Sequence, residues 1–313
     1  EVDIVPELIE HYKKVLSLPS FDKKVVINQF TMQKTAYNSN TKQPYIPGSS
    51  LKGSMRTAYL YVLSVVTQTK EFWKNCGLLS RQDLENPQST YNQIGRKKVA
   101  KKLEQKLLNG AFDTDPFRMV KVSDLLPVGE IKTKIAYAIN KKKVKSDKET
   151  MADKDKVYQI FEFIQPGSVF EGTININMPE ERAGILKPIT ADNLLLSAHQ
   201  FYAGNLKKEI EPLHNALNIK HQVGIDANIR FKDRFKKDAY LIRIGRHSGA
   251  EAVTIEGNRK IAIMIGRDKE GKMRYEYKDH STTLWLASDS PRPQNNNGLL
   301  PFGWAVIEVV DAC

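Results

Sequence analysis

Helical and strand-like periods are interleaved along the whole of this chain, and that interleaving restricts its fold more than any other feature. Helical runs cover residues 3–17, 50–66 and 91–108 and the stretch ADNLLLSAHQFYAGNLKKEIEPLHNAL that begins at Ala191. In 50–66, Leu51, Met55, Tyr59, Val62 and Leu63 fall on one face, the spacing of an amphipathic helix. Strand-like runs lie between them: KKVVINQF at 23–30, FRMVKVSD at 117–124 and YLIRI from Tyr240. VYQIFEFIQPGSVFEGTININ reads as strand, Pro166-Gly167 turn and strand, and KIAIMIGRDKEGKMRYEY as a hairpin about Lys269-Glu270-Gly271. GLLPFGWAVIEVV closes the chain with a Gly-rich turn into a buried strand. Nothing reads as a run of parallel βαβ units, so the pattern predicts an α+β fold built on ferredoxin-like (RRM-like) units.

The chain's 313 residues accommodate two such units, placed at 1–160 and 161–313, with a helical and Lys-rich insertion between about 70 and 156. Within it, INKKKVKSDKETMADKDK at 139–156 has too few apolar groups to offset ordering entropy and is expected to be a mobile loop. Lys and Arg number 48 against 36 Asp and Glu, a net charge of +12, which favours a polyanionic partner, most commonly nucleic acid. Only Cys76 and Cys313 are present, so neither a disulfide framework nor a CxxC metal pair can be built. A reducing cytoplasm is the expected compartment. No apolar run approaches the roughly 18 residues of a membrane span. The chain starts at Glu1 with no signal peptide visible, and native residues are expected to precede it.

The most distinctive stretch is PYIPGSSLKGSMRTAYLYVL at 44–63. It is not a Walker loop, because Lys52 precedes Gly53 instead of following it. It still has the parts of an anion site. Ser49 or Ser50 can cap the helix, whose first N–H groups carry partial positive charge. Gly48 and Gly53 would let a sugar-phosphate backbone approach closely, and Lys52 and Arg56 share a face one turn apart. A purely structural turn with ordinary caps accounts for the same residues.

A second Gly-rich stretch, RIGRHSGAEAVTIEG at 243–257, contains His247, the type of group a metal-independent ribonuclease uses as general base. No second histidine lies near it, and His280 is remote, so a structural or RNA-contacting role is the preferred reading. Asp113 and Asp115 could bind a cation, but they fit better as caps of the turn into the next strand. Trp285, Phe302, Trp304 and Tyr45 serve equally well as base-stacking or core residues. His11, His199, His214 and His221 show no ligand spacing, so no metal and no cofactor are expected.

Taken in order, PYIPGSSLKGSMRTAYL, DPFRMVKVSD, PGSVFEGTI and GLLPFGWAVIEV resemble the motifs of the repeat-associated mysterious proteins (RAMPs), the ferredoxin-like RNA-binding subunits of CRISPR systems. RIGRHSGAEAVTIEG narrows the resemblance to the fifth Csm subunit family of type III-A effector complexes, over residues 44 to the C-terminus. The resemblance implies a non-catalytic RNA-binding subunit that caps the complex at the 3′ end of the CRISPR RNA and supports guide maturation and interference. Implied partners are that RNA, the repeating Csm backbone subunit and other Csm subunits, with contact to target RNA left open. Carried over by motif, the RNA-binding residues are Gly48, Ser49, Ser50, Lys52, Gly53 and Arg56, together with Arg243, Gly245, Arg246, His247, Ser248 and Gly249. The alternative within the same superfamily is a metal-independent endoribonuclease that processes precursor CRISPR RNA.

Overall fold

The computed structural model describes residues 2–17, 31–66, 96–144, 158–220, 222–257, 259, 261–268 and 270–310. The expected strand at 23–30, both cysteines, His221 and residues 145–156 of the Lys-rich stretch lie outside the described residues. The elements in chain order are β1 (Val2–Ile4), α1 (Pro6–Leu16), β2 (Met32–Gln33), α2 (Gly48–Val66), α3 (Arg96–Leu107), β3 (Val120–Val122) and β4 (Leu126–Pro127). There follow β5 (Thr133–Lys142), β6 (Tyr158–Ile164), β7 (Phe170–Glu171), β8 (Ile174–Ile176), α4 (Ala191–Asn215) and α5 (Gln222–Phe231). The last are β9 (Ala239–Arg243), β10 (Ile261–Arg267), β11 (Met273–Lys278), β12 (Thr283–Ser288), β13 (Leu300–Pro301) and β14 (Trp304–Glu308).

One layer is a six-stranded sheet in the order β13-β12-β5-β6-β2, with β1 also paired to β5. The central strand β5 is antiparallel to β12 through Tyr137–Lys142 and to β6 through Thr133–Ile139. Val5 just ahead of α1, Leu8 of α1 and Leu213 from the end of α4 close over it, against Tyr137, Ile160 and Leu286. The other layer packs α2 against α4, with the β3–β8 and β9–β14 pairs around them. Its core contains Leu51, Met55 and Ala58 of α2, Leu194, Ala198 and Tyr202 of α4, and Leu241 and Ile242 of β9. Both cores draw on residues from either side of position 160, which itself lies within β6. The result is an α+β architecture.

Local signals explain most of the elements. The Thr190 hydroxyl accepts from the Asn193 N–H and caps α4, and Pro6 sits at the start of α1, where its missing N–H is harmless. That proline also explains one departure from the expected helix at 3–17. Val2–Ile4 are extended and pair in parallel with Thr133–Ile135.

Two other expectations change. Residues 139–142 are not loop but the end of β5, where Ile139 is buried and Lys142 pairs with Thr283. The strands flanking Pro166-Gly167 do not form a hairpin with each other. Gly167 at φ +86° and the Ser168 hydroxyl on the Gln165 carbonyl turn the chain away. β6 then pairs with β5 and β2, β7 with β4, and β8 with β3.

The second layer is pinned by a buried charge pair. An Arg243 Nη1–H donates to Glu209 Oε2 at 2.5 Å, Arg243 Nε–H to the Phe302 carbonyl at 2.9 Å, and Trp304 Nε1–H to Glu209 Oε1 at 2.8 Å. The guanidinium also lies 4.7 Å from the Trp304 ring centroid. The two charged side chains are 5% and 6% exposed, so removing one partner strands the other away from water. Glu209→Ala is expected to cost about 3–5 kcal/mol in urea denaturation, and adding Arg243→Met should restore part of that loss. A single variant that unfolds at the wild-type midpoint would show that the pair does not anchor the layer.

Candidate nucleic-acid interface

The mouth of α2 is closed by the protein itself. Gly48 N–H donates to Asp124 Oδ1 at 2.8 Å, so a carboxylate from the loop after β3 already caps the positive end of the helix. Gly48 is buried, and a Cβ there would stand 2.3 Å from the Ser123 carbonyl oxygen. The backbone that needs a glycine at this position is therefore the chain's own, which corrects the expectation of an open approach for a ligand. Ser49, Ser50 and Gly53 are exposed, and nothing lies within 4 Å of where a Cβ on Gly53 would sit.

Lys52 and Arg56 differ although they share a face. An Arg56 Nη2 lies 2.8 Å from both Glu104 Oε2 and Asp115 Oδ2, and the guanidinium stands 4.9 Å over the Phe117 ring. Its charge is spent within the fold. Asp115 also accepts from the Phe117 N–H at 2.8 Å, the turn-capping role expected of it. Asp113 is exposed and 3.7 Å from Arg118. Lys52 donates one N–H to the Val120 carbonyl at 2.7 Å, leaving two donors on the ammonium. Burial first, and then the neighbouring Lys121 charge, lower its pKa. Two ammonium groups repel each other here, and Lys121 itself is exposed.

The second Gly-rich segment follows β9. Gly245, His247 and Gly249 all have positive φ, at +87°, +63° and +86°. The buried Ser248 hydroxyl holds the turn against the Ile244 and Gly245 carbonyls at 3.1 and 2.6 Å. Arg243 is buried in the ion pair above, and Arg246 is exposed, with Nη1–H donating to Gln33 Oε1 at 2.9 Å.

The His247 ring stacks on Trp285 at 4.5 Å and lies 4.8 Å from Phe161 and 5.5 Å from Phe302. Burial, and secondarily the Arg246 charge, push its pKa down to about 4. It is a neutral ring in an aromatic cage, far from the near-neutral pKa that suits a general base. The same cage accounts for Trp285 and Phe302, while Trp304 belongs to the Glu209 network.

Two contacts hold these segments together. The Tyr202 hydroxyl lies 3.2 Å from the Ser54 carbonyl of α2 and 3.1 Å from the Ala252 carbonyl. Glu251 accepts from Lys143 Nζ at 2.7 Å and from Ser281 N–H and Oγ–H at 2.7 and 2.8 Å. Burial alone would raise this carboxyl, but Lys143 and Ser281 override it and bring the pKa to about 2. Sequence reasoning missed Lys121, Asp124, Tyr202 and Glu251. Asp124 carries a capping-type signal, but the helix it caps lies 76 residues earlier. Among the described residues no group of three or more His, Cys, Asp or Glu could hold a metal ion, and no helix is long and apolar enough to cross a membrane.

These are two Gly-rich segments set on paired helices and antiparallel strands, an α+β arrangement. The family model described as RAMP superfamily matches residues 27–243, more than half of the chain, and the chain belongs to that superfamily. Its structure is similar to a chain of a Csm-crRNA-target RNA ternary complex in a type III-A CRISPR-Cas system, determined by cryo-EM. The TM-score is 0.51 at 19% identity, covering 90% of this chain and 77% of that one. The crystal structure of T. onnurineus Csm5 gives a TM-score of 0.46 at 17% identity over 76% of this chain and 77% of that one. No curated protein matches the chain. At 19% identity the likeness to the chain of the ternary complex is one of fold.

The two helix glycines should respond oppositely to alanine. Gly48→Ala is expected to cost about 1–3 kcal/mol, as overpacking does. Gly53→Ala, at an open helical position, should stabilise by about 0.5–1 kcal/mol. Equal thermal midpoints for the two would contradict the close approach of Ser123.

Acid sensitivity follows from the two depressed groups. With folded values of about 4 for His247 and about 2 for Glu251, the folded state binds fewer protons than the unfolded state. Their stabilisation is complete above the unfolded values and disappears as pH falls, from 6.5 to about 4 for His247 and from 4.5 to about 2 for Glu251. The Glu251 contribution is up to about 3 kcal/mol. Denaturant titrations at stepped pH should show both windows, with Glu251→Gln abolishing only the lower one and His247→Phe only the upper.

Proposed function

We propose that this chain is a non-catalytic RNA-binding subunit of a Csm-type, type III-A CRISPR ribonucleoprotein in the cytoplasm. In this reading it sits at the 3′ end of the CRISPR RNA against the repeating Csm backbone subunit and supports guide maturation and interference. The observation that carries the reading is the fold likeness, over 90% of this chain, to a chain of a Csm-crRNA-target RNA complex, in a member of the RAMP superfamily.

The geometry supports a division of labour among the motif residues. Gly48, Arg56, Arg243 and Ser248 are engaged inside the fold and shape the two segments. Ser49, Ser50, Lys52, Gly53, Gly245, Gly249 and Arg246, with Lys121 added, supply the donors and close-approach positions for phosphates and 2′-hydroxyls. Such contacts position a strand without reading its sequence. His247 supports the loop from its cage, and its low pKa argues against a role as nuclease base.

The test is fluorescence polarisation with labelled single-stranded RNA across a salt series, comparing the wild type with Lys121→Ala/Arg246→Ala. Each lost phosphate contact should reduce the magnitude of the log–log salt slope by about 0.7, with similar loss of affinity for every sequence. The RNA should stay intact in EDTA and in Mg²⁺. Cleavage that disappears in His247→Ala would replace the binding reading with the endoribonuclease. An unchanged slope together with lost assembly would move these residues to a subunit interface.

A further inference from the structure

We propose that the hairpin of residues 36–45 is a base-stacking element that seats an unpaired base of an RNA strand on the Tyr37 ring. The proposal rests on the RNA-binding reading above and goes beyond it, because it places unpaired bases, and not only phosphates, against the protein.

The hairpin is firmly built. Asn38 Oδ1 accepts from the Asn40 and Thr41 N–H groups at 2.9 and 3.3 Å, and Lys42 takes φ +57° to close the turn. Asn38 N–H donates to the Gln43 carbonyl and Tyr45 N–H to the Ala36 carbonyl, at 2.9 and 3.0 Å. Ile46 then pairs with Leu125, directly ahead of the mouth of α2 at Gly48. The position of Tyr37 is therefore fixed relative to that helix.

Two cavities share the Tyr37 side chain. One, of about 390 Å³, has a floor of Pro44, Ile131 and Thr133, with Glu162 in its wall and Lys34 and Lys42 contributing cations. The other, of about 350 Å³, is lined by Asn38, Asn40, Tyr45, Leu126 and Asp124, the carboxylate that caps α2. Tyr37 lines both and is 49% exposed.

The lining selects the occupant. Carboxylates repel phosphate, so Glu162 and Asp124 suit the N–H edges of bases, as do the amides of Asn38, Asn40 and Gln43. The Thr133 hydroxyl donates to Glu162 Oε1 at 3.0 Å and holds that carboxylate in place. Lys34, whose Nζ lies over one face of the Tyr37 ring at 5.9 Å from its centroid, and Lys42 suit the phosphates that flank a base stacked on the other face. An acidic peptide would meet these carboxylates unfavourably. An exposed ring beside concave surfaces that carry amides, carboxylates and cations matches how single strands are bound, with bases on aromatic faces and cations along the backbone.

The test uses the full chain and a single-stranded RNA oligonucleotide carrying one 2-aminopurine, whose fluorescence is quenched on stacking, scanned through successive positions. Binding should quench the fluorescence at one or more positions of the scan. Tyr37→Ala should abolish that quenching and weaken binding roughly tenfold, and Tyr37→Phe should restore both. Since Tyr37 is half exposed, the thermal midpoints of both variants should match the wild type. Wild-type binding with a normal salt slope that Tyr37→Ala leaves unchanged would overturn the stacking element while the proposed function stands. No RNA binding by the wild type would overturn both. A nucleoside monophosphate that binds as tightly as the oligonucleotide would overturn the strand site in favour of a free-nucleotide pocket.

Discussion

The Glu209–Arg243 pair is the interaction on which the second layer depends. Arg243 stands directly opposite Trp304 in the β9–β14 register, so one carboxylate on α4 reaches both strands of that pair. A buried ion pair is poor evidence of net stability, because desolvating two charges costs about as much as their attraction returns. What it specifies is geometry. Arg243 Nε and Nη1, both Glu209 oxygens and Trp304 Nε1 find their partners in a single arrangement of α4, β9, β14 and the Phe302 carbonyl. The next residue, Gly303, then approaches Ile244 so closely that a Cβ would be 2.2 Å from its carbonyl oxygen. The 244–249 turn inherits its place from this network.

That turn is held from the other side by the first layer. Phe161 comes from β6 and Trp285 from β12, and both enclose the His247 ring. Glu251, a few residues on, takes Lys143 from just past β5 and Ser281 from just before β12. Three left-handed residues in five would make an isolated loop costly to order. Here it is clamped between two cores, and the clamp explains why a histidine with positive φ and a low pKa is tolerated. A strand laid across Gly245 and Arg246 would meet a preformed surface, which spares it the ordering cost of a loose loop.

The parts of this fold that were legible in the sequence are those governed by local periodicity. The α2, α4, β9 and β10–β11 assignments follow from spacing and turn residues, and the order of motifs pointed to the superfamily. Pairings between distant segments left no local trace. The parallel contacts of β1 with β5 and β2 with β6, and the divergence of β6 from β7, depend on which edge is free in three dimensions. The site shows the same limit. Lys52 and Arg56 are equivalent on a helical wheel, but Glu104 and Asp115, 48 and 59 residues from Arg56, form ion pairs with the second alone. Glycine was read as openness at both positions 48 and 53, and only the packing of Ser123 tells them apart.

The positive charge of the chain is accordingly a poor guide to where an anion would bind. Arg56, Arg243 and Lys143 are cations of the interior, each matched to a carboxylate, and the helix mouth is matched to Asp124. A phosphate brought to the N-terminus of α2 would face that carboxylate at close range, and the helix dipole would lose most of its attraction. Positive charge remains to the side, where Lys52 and Lys121 repel each other next to the exposed Ser49 and Ser50. On the proposed reading, an RNA backbone that relieves this repulsion would pass beside the helix mouth, and Asp124, already bonded to the Gly48 N–H, would keep phosphate off that mouth.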